Sequence, residues 1–121
     1  MPETVTALPE TVNLSLYAGD DITLELNIAG AEGEPADLDG AEIFSQIRPT
    51  PAGPLAAEFE VTVDAERPGT AYLHLTPEVS AALPSRGAWD VQISWNDGQN
   101  VTTMLAGSVT VAPEVTRPGQ P

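Results

Sequence analysis

Apolar and polar residues alternate one for one through most of this chain, in short runs bounded by Gly, Pro, Asp and Asn. Such a pattern buries its apolar set only when the backbone is extended, because strand side chains repeat every two residues. The clearest run is Ala88 to Trp95, in which Trp89, Val91, Ile93 and Trp95 share one face. Asn96-Asp97-Gly98-Gln99-Asn100 follows, with Asp97-Gly98 suited to the positive φ of a tight hairpin, and Val101 opens the next run.

The remaining segments obey the same rule. Val12, Leu14 and Leu16 form one set and Ile22, Leu24, Leu26 and Ile28 another; Ala18-Gly19-Asp20-Asp21 joins them as a hairpin or as neighbouring strands of a sandwich. Gly30 to Gly40 reads as a polar loop. Next, Ala41, Ile43, Ser45 and Ile47 share one face, with Glu42, Phe44, Gln46 and Arg48 on the other. Pro49, Pro51, Gly53 and Pro54 then forbid regular structure, and this loop is expected to cross between sheets. Phe59, Val61 and Val63 precede Ala71, Leu73 and Leu75, which stand opposite Tyr72, His74 and Thr76.

Thr76-Pro77-Glu78 has the cap, first-position proline and early acid of a helix start, and Pro84 limits that helix to one or two turns. Val101, Thr103 and Leu105 alternate, Gly107 breaks the period as a bulge would, and Val109 and Val111 resume it. The expected fold is all-β: an immunoglobulin-like two-sheet β-sandwich of about seven to eight antiparallel strands with one short helical turn. An N-terminal arm (1–10) precedes the sandwich domain (11–114), and a C-terminal tail (115–121) follows.

Charge and residue inventory exclude most chemistry. Eighteen acids against four bases give a net charge of −14, and a field of that sign repels phosphate backbones, so no nucleic-acid partner is expected. The chain has no Cys, which removes disulfides, thiolate nucleophiles and Cys-based metal sites. Met1 to Thr4 has no secretory-signal character and no run approaches the ~18 apolar residues of a membrane span, so a protein made in the cytoplasm without a membrane partner is expected.

Acid–base or nucleophilic catalysis has little to work with: one His, neither Cys nor Lys, and no Gly-x-Ser-x-Gly elbow. No enzyme activity, catalytic residue or cofactor is expected. Glu32, Glu34, Asp37 and Asp39 cluster in one loop and Asp20-Asp21 in another, but their spacing fits no calcium loop and reads as solvated turns, so no metal is assigned. The interface candidates are the outward residues Phe44, Arg48, Tyr72 and His74. Phe44 either packs beneath the Pro-rich loop, the favoured reading, or faces a partner. Trp89 and Trp95 are read as core.

From about Leu16 to Arg117 the order of features resembles a family of bacteriophage virion proteins, small β-sandwiches related to the tail collar protein at the side-fibre attachment site of long-tailed phages. The resembling stretches are Tyr17 to Leu26, Ala36 to Arg48, Leu73 to Leu83, Gly87 to Ile93 and Leu105 to Arg117, with Asp39-Gly40 standing where the pattern has a Thr-Gly turn. The resemblance implies a virion localisation and a non-enzymatic structural role, as a tail-associated collar or fibre-adaptor module. It implies partners among other virion proteins (tail tube, fibre or capsid) and homo-oligomeric assembly, and it transfers no site residues. A capsid-surface decoration protein and a carbohydrate-binding adhesin module are the alternatives. Strand edges and both termini are the expected contacts, with the arm or the tail ordering only against a neighbour.

Overall fold

A computed structural model of the chain describes residues 9–29, 33–95, 100–116 and 119. The alternating runs become β1 (Glu10–Thr11), β2 (Leu14–Tyr17), β3 (Ile22–Asn27), β4 (Glu42–Arg48), β5 (Ala57–Glu58), β6 (Glu60–Val63), β7 (Thr70–Leu75), β8 (Arg86–Trp95) and β9 (Asn100–Ala112), with helix α1 (Pro77–Ala81) between β7 and β8. One sheet of six strands runs β1-β9-β8-β4-β5, with β2 also on β9; the other, of three strands, runs β3-β7-β6. The two stack as an immunoglobulin-like sandwich. The core lies between them, built from the inward alternates Ile22 and Leu26, Ile43 and Ile47, Ala71, Leu73 and Leu75, Trp89, Val91 and Ile93, and Val109 and Val111. Trp95 packs partly buried against it.

The helix forms as its cap residues dictate. Thr76 is extended and its hydroxyl accepts from the Val79 N–H, Pro77 occupies the first turn, and the helix stops after one turn before Pro84. Ser80, fully buried, donates to the Asp20 carbonyl at 2.7 Å, which ties this crossover to the turn between β2 and β3.

Three points narrow or correct the sequence reading. Of the two alternatives for the link 18–21 the hairpin is excluded: β2 pairs with β9 in parallel, whereas β3 pairs with β7, so the chain passes from one sheet of the sandwich to the other there. The Pro-rich loop does not cross between sheets either, because β5 returns antiparallel to β4; the crossing falls one residue after β5, at Phe59, whose N–H still bonds the Ser45 carbonyl before β6 joins β7. Proline removes ladder donors without setting the direction in which a chain resumes, and a two-residue β5 leaves no periodicity to read. Third, the bulge in β9 lies at Met104, the residue left over between the pairs Val91–Leu105 and Gln92–Thr103. That extra residue flips the face, so Val101 points outward and is 58% exposed.

Gly107 serves a different purpose. A Cβ there would lie 2.0 Å from the Val12 carbonyl oxygen, so only glycine lets the segment between β1 and β2 cross this position. The same carbonyl accepts the indole N–H of Trp89 at 2.8 Å, and Trp89 faces Gly107 across the ladder. Asn13 completes the joint, its side-chain oxygen accepting from the Ser108 N–H. The arm expected at 1–10 therefore already contributes Glu10 to the six-stranded sheet; the rest of that arm, the 96–99 turn and most of the tail lie outside the described residues.

Gly107→Ala should destabilise the chain by about 3 kcal/mol, because backbone rather than a flexible side chain must yield. Trp89→Phe should cost about 1–3 kcal/mol by leaving the partly buried Val12 carbonyl without its indole donor. Urea denaturation followed by circular dichroism measures both.

Candidate functional site

Inward alternation in both sheets leaves two outer faces, and the four interface candidates divide between them. Tyr72 and His74 stand on the three-stranded sheet, opposite Glu25 and Thr23 on one side and Thr62 and Glu60 on the other. Neither is a free surface group. His74 places Nε2 2.5 Å from Asp21 Oδ1 and Nδ1 2.9 Å from Glu60 Oε1. Those hydrogen bonds, Asp21 first, hold its pKa above the usual imidazole value against slight desolvation. Since both ring nitrogens face carboxylates, neither activates a hydroxyl.

Beside it, Arg67 donates to Glu25 at 3.2 Å and to the Tyr72 hydroxyl at 3.3 Å, and that hydroxyl donates to Asp64 at 2.8 Å. The Asn27 amide and then Arg67 hold the Glu25 carboxyl below its usual range; the Glu66 N–H and then Tyr72 do the same for Asp64. This face is a polar belt whose groups satisfy one another.

Among the described residues no group of three or more His, Asp or Glu is placed to hold a metal ion. Asp37 has a local task, its Oδ1 accepting from the Asp39 N–H in a turn that Gly40 completes at φ 76°. Glu32 of the same acidic loop lies outside the described residues.

The six-stranded sheet presents the other face. Phe44, Gln46 and Arg48 of β4 pair with Gln92, Asp90 and Ala88 of β8, and Asp90 pairs in turn with Ala106 of β9. Small residues at 88 and 106 leave the sheet hollow, and a concavity of about 620 Å³ opens above them, walled by Phe44, Arg48 and Pro51. Phe44 is 44% exposed, contrary to the expectation that it packs beneath the Pro-rich loop. Arg48 is the reason: it donates to the Gly53 carbonyl and to Gln46 Oε1, both at 2.9 Å, which holds the loop as the far wall of the hollow rather than as a lid. Gln46 donates in turn to Glu58.

Phe44 and Arg48 thus come together, and Tyr72 and His74 lie on the opposite side of the molecule. Asp90 and Gln92 were not singled out from the sequence. Their signal was an outward position on the strand that carries the buried Trp89, Val91 and Ile93, which makes that strand central and its outward groups partly enclosed.

No family model matches the chain, and no curated protein does. Among solved structures it is similar to a crystal structure of chicken TCR, with a TM-score of 0.53 at 13% identity, over 86% of this chain and 54% of that one. The chain thus spans about half the length of that structure. At this identity the likeness is one of fold.

The histidine supplies a pH test. With its folded-state pKa above 6.5, His74 binds a proton more tightly folded than unfolded, so its contribution is complete below pH 6.5 and disappears as pH rises through the folded value. Thermal melts at low salt should show Tm falling as pH rises above about 6.5, and His74→Gln should flatten that slope.

Proposed function

We propose that this chain is a bacteriophage virion structural protein, a tail-associated module of collar or fibre-adaptor type that works through protein–protein contacts and has no catalytic activity. The observation that carries the reading is the outer face of the six-stranded sheet, which no other described element covers and which sets an exposed aromatic beside a hollow. The polar groups of the opposite face bond one another, which suits a scaffold better than a reaction centre. The stretches that resemble the phage family fall at defining points of this fold: the Gly19-Asp20 turn into β3, the Asp39-Gly40 turn before β4, the Thr76-capped helix and the exit of β9.

Homo-oligomeric assembly also belongs to the proposal. Copies carrying −14 each repel one another, so a ring needs either apolar contacts of substantial area or an intervening basic partner.

Immunogold electron microscopy of phage particles with an antibody against this chain tests the assignment. Label at the tail or neck is expected; label over the whole head would replace it with the decoration reading, and particles free of label would overturn both.

A further inference from the structure

The Asp90 backbone carbonyl accepts from the Ser45 hydroxyl at 2.7 Å, but among the described residues no hydrogen bond reaches its carboxylate. β8 is flanked on both sides, so Asp90 is hemmed in by Gln46 and Ala106 across the ladder and by Ala88 and Gln92 along the strand. Burial raises its carboxyl pKa above the usual range, with Arg48 offsetting this only in part. The nearby guanidinium hydrogen-bonds the Gly53 carbonyl and Gln46 instead, and among the described residues no side chain bonds the Asp90 carboxylate. A partly desolvated anion with open acceptor sites therefore lies in the hollow beside an exposed phenyl ring, on a chain of net charge −14.

The complement of that arrangement is a cation with N–H donors and a flat or apolar stem. An anionic ligand meets a repelling field, and a neutral sugar can hydrogen-bond the carboxylate but, unlike a cation, is not drawn by the net negative field. We propose that the hollow binds an arginine side chain of a partner protein, with the Asp90 carboxylate accepting its guanidinium N–H groups and Phe44 packing against its face. Charge-assisted bonds to a carboxylate are about twice as strong as neutral ones, and a ring within ~6 Å adds a cation–π term. The partner is a different, basic protein rather than a second copy, because a second copy brings the same net charge of −14, has no Lys, and holds Arg48 and Arg67 in the bonds described above, which leaves it only Arg86 and Arg117 to offer. This rests on the reading of the chain as an assembly module and names the chemistry of its neighbour.

The probe is acetyl-Gly-Arg-Gly-amide, titrated into the full chain and followed by amide chemical shifts, with the citrulline peptide as the uncharged counterpart. Saturable shifts centred on Phe44, Asp90 and Gln92 are expected. Citrulline and Asp90→Asn should each weaken binding at least tenfold, and Phe44→Ala several-fold. Asp90→Asn should leave Tm unchanged or raise it, since a partly buried unpaired charge is removed; a marked fall in Tm would assign Asp90 a structural role and overturn the site. So would equal binding of citrulline, shifts scattered over the acidic loops and insensitive to Asp90→Asn, or no saturable shift. Binding of a neutral oligosaccharide at Phe44, indifferent to Asp90→Asn, would replace it with a carbohydrate platform. Tail-located label on particles together with a silent peptide titration would remove the arginine site and leave the assembly role standing.

Discussion

The bond from the Trp89 indole to the Val12 carbonyl holds the architecture together. Trp89 lies in the middle of the central strand, 4% exposed, with the ring of Phe59 tilted against it at a centroid distance of 6.1 Å. Its N–H needs an acceptor inside the core, and the acceptor comes from the opposite end of the chain. β1 and β2 run parallel to β9 and are interrupted between Thr11 and Leu14, so their own ladders are short. The indole below and the Asn13 amide above fix the interruption. A slip of one residue would orphan the indole N–H and drive a side chain into the space that Gly107 leaves open.

Period-two patterning made the two-sheet sandwich, the buried faces of β3, β4, β7 and β8, and the one-turn helix legible before any coordinates, because each depends on residues near in sequence. What was not legible depends on long-range geometry. The crossing at Phe59 follows a strand of two residues, and the Met104 bulge shows only against the register of β8. Gly107 looked like a break in a strand, and its cause is a carbonyl 95 positions earlier in the chain, a distance no local pattern spans.

The candidate site divides along the same line. Alternation was enough to place Phe44 and Arg48 together on an outward face, and Tyr72 and His74 together on another. It did not reveal that these faces are opposite, nor that Arg48 would turn to its own loop and leave Asp90 unmatched. Sequence shows which residues face outward; only the assembled sheet shows which of them still lack a counterpart. On the smaller sheet Glu25, Asp64, Asp21 and Glu60 each have a hydrogen-bonding side chain, and on the larger one the carboxylate of the middle strand has none among the described residues.

The position of β9 in chain order has a consequence for biosynthesis. It is the partner of β8 and of both N-terminal strands, and of the nine strands described it is the last to be synthesised. Until residues 100–112 have emerged, β1 and β2 have no ladder to join and β8 keeps a bare edge. The N-terminal strands therefore stay without a ladder while the seven elements from β3 to β8 are made, the indole and the β8 edge wait only for the strand that follows them, and the larger sheet closes in a late step.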